Sequence, residues 1–162
     1  MSAPTFAGLV VLMAARGPSR GQVNLLKNGG FEAVGKGGLP VGWKCDSWRS
    51  GAVFGVDKRN AHSGRASAFI YCPIPNDARF IQRVKVKPHS VYRLSAWVKT
   101  EGVKVVEKGG NVGVNIGIYG TFVKSEDVKG TKGWREISTI VFTTDEPYLD
   151  IAPVSYTHLT LP

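Results

Sequence analysis

The sequence predicts an all-β domain, and three features carry that prediction. Clusters of Gly, Pro and Asn break the chain about every ten residues, and the segments between them alternate in polarity or are β-branched. After Gly21 no stretch joins helical spacing of apolar residues to helix caps. With 162 residues, 43% hydrophobic and 20% charged, the chain is long enough for one core.

Taken in order, the breaks are GKGGLPVGW (Gly35 to Trp43), HSGR (His62 to Arg65), PIPND (Pro73 to Asp77), KPHS (Lys87 to Ser90), EKGGN (Glu107 to Asn111) and KGTKGW (Lys129 to Trp134). The predicted strands are RASAFIYC, FIQRVKVK, VYRLSAWVK, NVGVNIGIYGTF and WREISTIVFTT. Strands spaced so regularly build a sandwich or a barrel.

Alternation assigns faces. In VYRLSAWVK, Tyr92, Leu94, Ala96 and Val98 form an apolar set, so Arg93, Ser95, Trp97 and Lys99 point the other way. An indole among polar neighbours on a non-core face is a candidate stacking platform. In NVGVNIGIYG the same rule sends Val112, Val114, Ile116 and Ile118 inward and Gly113, Asn115, Gly117 and Tyr119 outward. Glycine weakens a strand interior, and two of them beside Asn115 and Tyr119 predict a shallow trough open to close approach by a ligand.

The ends read differently from the body. Phe6 to Ala15, FAGLVVLMAA, has the length of a signal-peptide apolar region and is too short to cross a bilayer, although no Lys or Arg precedes it. Residues 1–21 are therefore expected to be a signal-peptide-like segment and linker of a secreted or cell-surface protein. Val154 to Pro162, VSYTHLTLP, reads as translated transposon-end adapter DNA. Residues 153–162 are expected to be a non-native tail and the domain to occupy 22–152, cut before its last strands; Tyr156 and His158 are set aside on that ground.

Twenty-one Lys and Arg against twelve Asp and Glu give a formal charge of +9. The cations are scattered singly, without a Lys/Arg block or a zinc-knuckle pattern, which argues against nucleic acid and suits an anionic polysaccharide better. Cys45 and Cys72 could close a disulfide or stay as two buried thiols, and spacing does not choose between them. With no C-x-x-C pair and three His, a zinc site has no basis. Glycosidic hydrolysis needs two carboxylates flanking the bond, whereas Glu101, Glu107, Glu126, Asp127, Asp145 and Glu146 fall mostly in turn-like stretches. HSGR has turn chemistry, not that of a nucleophile elbow.

The ordered series NLLKNGGFE (Asn24 to Glu32), LPVGW, AHSGRASAFI, VKVKPHSVYRLSAWVKTEG and KGTKGWREISTIVFTT resembles carbohydrate-binding modules of the family 4/9/22 type, over Asn24 to about Ile151. The resemblance implies a galactose-binding-like jelly-roll β-sandwich that binds glycans in a cleft across one sheet. It implies a structural Ca²⁺ held by Glu32 with an acidic residue of a last strand, which is missing from this pattern. It also implies a non-catalytic accessory module that binds a plant- or algal-type polysaccharide of the xylan/β-glucan class and targets an attached glycoside hydrolase.

Sugar binding requires an aromatic face for the C–H side of a pyranose and directional groups for its hydroxyls. The candidates are Trp97, Tyr119, Asn115, Phe80, Gln82, Arg79 and Trp48. Trp43, Tyr92, Trp134 and Phe142 are expected to be structural, each stabilising the sandwich by roughly 1.5 to 3 kcal/mol. The competing reading is a structural or adhesive sandwich that does not recognise sugar.

Overall fold

The computed structural model describes residues 5–13, 23–74, 76–103 and 113–156. Among them nine strands form two antiparallel sheets. They are β1 (Thr5–Met13), β2 (Lys44–Ser47), β3 (Val53–Asp57), β4 (Ser67–Tyr71), β5 (Asp77–Lys85), β6 (Val91–Val103), β7 (Val114–Ile118), β8 (Gly130–Phe142) and β9 (Tyr148–Tyr156). The first sheet has the order β3-β4-β1-β6-β8 and the second β2-β5-β9-β7. From β5 onward the chain changes sheet at every step. The predicted all-β sandwich is the observed architecture.

The core lies between the sheets because each long strand puts one parity inward. Tyr92, Leu94, Ala96 and Val98 of β6 are buried as alternation requires, facing Phe80 of β5, Ile116 of β7 and Ile151 of β9 across the interior. Phe31, Trp43, Phe54 and Phe80 make one ring cluster, with Phe54 edge-on to Phe80 at 5.3 Å and Phe31 tilted against Trp43 at 5.5 Å. The buried Tyr92 hydroxyl accepts a hydrogen bond from the Lys87 backbone N–H at 2.8 Å. Trp43 and Tyr92 are thus structural as expected. Phe142 is not: it is 74% exposed at the end of β8.

The loop between β1 and β2 is tied down by two amides. Asn28, at positive φ, donates to the carbonyls of Ala33 and Val41, while its side-chain oxygen accepts from the Ala33 N–H. Gln82 of β5 accepts from the Lys27 N–H at 2.8 Å and donates to the Lys27 and Gly42 carbonyls.

Both ends of the described chain are paired. Phe6–Met13, inside the segment expected to be signal-peptide-like, belong to β1, with Phe6 opposite Ala68 of β4 and Val98 of β6. The rest of that segment, 1–4 and 14–21, lies outside the described residues. β9 runs through the boundary expected at 152: Val154 opposes Arg79 and Asn115, and Ser155 opposes Ala78 and Val114. Residues 157–162, the EKGGN turn and Val112 lie outside the described residues. Cys45 and Cys72 are free thiols packed against the core, so the pair is not a disulfide. Burial raises both, and with the nearby Asp77 carboxylate pushes Cys72 up to about 11.

Candidate functional site

The outward face of the four-stranded sheet carries a groove of about 800 Å3. Its floor is Ile81 and Arg83 of β5 with Asp150 of β9, since Ala78, Phe80, Gln82 and Val84 occupy the opposite parity. Lys44 opposes Ile81 in β2, and Tyr148 opposes Lys85. Lys27 and Gly42 form a wall held by Gln82, and Tyr119, just past β7, contributes to the lining. Tyr119 and Tyr148 are 46% and 49% exposed.

The polar floor is fixed. Arg83 binds Asp150 through two parallel hydrogen bonds of 2.8 Å, Nε to Oδ1 and Nη2 to Oδ2. That bond, with smaller help from the charges of Arg83 and Lys44, holds the Asp150 carboxyl below the usual aspartate range, and it raises Arg83 in turn. The Tyr119 backbone N–H donates to the Asp150 carbonyl at 2.8 Å, so the phenol is carried on a chain anchored to the floor.

Beside the groove, Arg79 pairs with Asp77 and Asp46, and its guanidinium carbon sits 5.0 Å from the Tyr119 ring centroid. Burial keeps Asp77 above the usual range despite the opposing charge of Arg79. Asn115 is buried and donates to Asp127 Oδ1 at 2.8 Å, while Lys124 pairs with the other oxygen at 2.8 Å. The trough expected over β7 is filled by the chain itself. Val114 and Val128 exchange backbone hydrogen bonds, Ser125 N–H donates to the Ile116 carbonyl, and Ile118 N–H donates to that of Val123. A Cβ on Gly117 would lie 2.5 Å from the Val123 carbonyl oxygen, and one on Gly113 would lie 2.6 Å from that of Val128. These glycines admit the segment 123–128, not a ligand.

The structure therefore brings Arg79, Asn115 and Tyr119 together and separates Trp97 from them. Trp97 lies on β6, in the other sheet, where His62 stacks on it with centroids 3.8 Å apart and planes 12° off parallel. Trp134 is half-buried beside them, edge-on to His62 at 5.9 Å. Phe80 is fully buried between Phe31 and Phe54 and cannot touch a ligand. Gln82 lines the groove but is largely buried there, a clasp whose amide is committed to backbone groups. Trp48 is 58% exposed after β2, with Arg49 5.7 Å from its ring centroid, and it does not line the groove.

Glu32 is exposed, and one of its carboxylate oxygens is held by backbone. Its Oε1 accepts from the Arg65 N–H at 2.7 Å and the Ala66 N–H at 3.2 Å, which pins the HSGR turn. The depression around it is lined by Lys58, Arg59 and Arg65. Ca²⁺ takes six to eight oxygen ligands, and among the described residues no group of three or more His, Cys, Asp or Glu side chains is gathered around Glu32. Amide donors and cations do not fit that ion.

Of the groove-lining residues the sequence reading singled out Tyr119 and Gln82, and the others escaped it. Tyr148 and Asp150 alternate with the buried Ile151 and the partly buried Leu149, and Lys85 alternates with Val84 and Val86, so their common face was readable. That these strands lie side by side was not. The sequence matches no protein-family model and no curated protein.

Proposed function

We propose that this domain is a non-catalytic carbohydrate-binding module in which a polysaccharide chain lies along the groove of the four-stranded sheet. The observation that supports it most is the pair of half-exposed phenols, Tyr119 and Tyr148, set around a hydrogen-bonding floor fixed by Arg83 and Asp150. Phenol faces accept the apolar side of a pyranose, and a paired guanidinium and carboxylate offer both donors and acceptors to its hydroxyls. Asp150 is the one carboxylate among the groove-lining residues, and it is held by Arg83, whereas hydrolysis needs an acid and a second carboxylate across the bond. The reading extends to a secreted accessory module that keeps an attached glycoside hydrolase on its polymer.

Affinity electrophoresis against xylan, β-glucan and a sulfated glycan tests this. Retardation that disappears in Tyr148→Ala, with an unchanged melting transition, is the expected result. A folded protein that no glycan retards would overturn the reading. It would favour instead a structural or adhesive sandwich, to which the fully exposed Phe122 and the largely exposed Phe142 would contribute contact surface.

A further inference from the structure

We infer that the polymer taken by this groove is anionic, carrying the carboxylates of uronic acids or sulfate esters, and that Lys27, Lys44 and Lys85 read those charges. This rests on the carbohydrate-binding reading and narrows it.

The charges around the groove do not cancel. Arg83 and Asp150 neutralise one another through their paired hydrogen bonds. Asp127 is matched by Lys124, Arg79 is shared between Asp46 and Asp77 so that cluster keeps one negative charge, and Glu146 adjoins the groove beyond Tyr148; three lysines against these two charges still leave the face cationic. Lys27, Lys44 and Lys85 are exposed, line the groove, and have no ion-pair partner among the described residues. Three ammonium groups thus surround one fixed neutral pair and two phenols. Lys27 stands on backbone clasped by Gln82, and Lys44 and Lys85 stand on β2 and β5, so the backbone positions from which the three side chains reach are fixed.

An uncharged pyranose chain would leave these ammonium groups as idle solvated charges. A chain bearing an anion on successive sugars would engage several at once, over a surface where each contact alone is weak but the summed field is not. Ammonium is a compact donor that donates to carboxylate and sulfate oxygens alike, so the two anions share one recognition chemistry.

The test uses the intact chain and matched polymers: polygalacturonate against its methyl ester, and a sulfated galactan against its desulfated form. The expected result is a preference of about tenfold or more for the charged twin at low salt, shrinking as salt shortens the screening length. Lys44→Gln with Lys85→Gln should erase most of that preference. Lys132→Gln, exposed on β8 of the opposite sheet, should change it less than about twofold. Retention of the wild-type melting transition shows that the variants are folded. Whichever charged polymer is preferred identifies carboxylate or sulfate as the anion. Equal binding of charged and neutral twins would overturn this inference while leaving the module reading intact. Equal loss from Lys132→Gln would also overturn it, by assigning the preference to diffuse charge. Binding of no polymer would overturn both.

Discussion

The two outer faces of the sandwich begin from the same pattern and end differently. On β6 an indole stands among Arg93, Ser95 and Lys99; beside β5 and β9 two phenols stand among Arg79, Arg83 and Lys85. The indole is covered by His62, and Arg93 closes on Glu136 at 2.8 Å across to β8. The phenols stay half exposed over a groove, with arginines beside them already bound to Asp77 and Asp150. Strand alternation decides which side chains leave the core. What then covers them is decided by loops from distant sequence, here the HSGR turn that Glu32 holds against the five-stranded face.

Substitutions can break or sharpen this contrast. The largest effect belongs to the layer beneath both faces: Phe80→Ala should cost about 3 to 5 kcal/mol in denaturant unfolding, by opening a cavity between Phe31 and Phe54. A loss below ~1 kcal/mol would show that Phe80 is not core. Next, Trp97→Ala should cost about 1.5 to 3 kcal/mol of stability through lost burial, and leave glycan retardation intact. Tyr119→Ala should do the reverse, lowering stability by less than about 1 kcal/mol, the scale of its exposed contact with Arg79, while weakening retardation. If the two variants exchanged these phenotypes, the assignment of the faces would be inverted.

The smallest effect is electrostatic. Asp150 has a carboxyl lowered in the fold, so the stability it contributes is complete above pH 3.8, the ordinary aspartate value, and is lost as pH falls through its lower folded value. Asp77, raised by burial, runs the other way: its contribution is complete below pH 3.8 and is lost as pH rises toward its folded value. Melting transitions followed downward from pH 5 should therefore fall more steeply in the wild type than in Asp150→Asn. Parallel curves would show that the Arg83–Asp150 pair does not stabilise the floor.

How much of this was legible in the sequence follows from the range of the interactions. The sandwich and the inward set on β6 come from period-two alternation, a local property. Phe80 was also legible, for it shares its parity with the apolar Val84 and Val86, and the aromatic ring drew attention away from that phase. The fate of Trp97 was not, because His62 lies far from it in sequence and arrives through a turn. Nor was the filling of the β7 trough: glycine signals close approach without saying what approaches, and here it is residues 123–128. The groove is a non-local object, made by β2, β5 and β9 lying in register, and the residues that line it look like ordinary surface until those strands are aligned.

The placement of β1 bears on how the molecule is assembled. Phe6 pairs with both Ala68 and Val98, so β1 gains its first neighbour only when β4 has been synthesised and its second with β6. Its backbone waits unpaired while β2 and β3 emerge. Such late closure makes for high contact order, slow folding and a nascent apolar ribbon prone to pair with other chains. The yield of folded domain should accordingly depend more on protection of that ribbon during translation than on any residue of the groove.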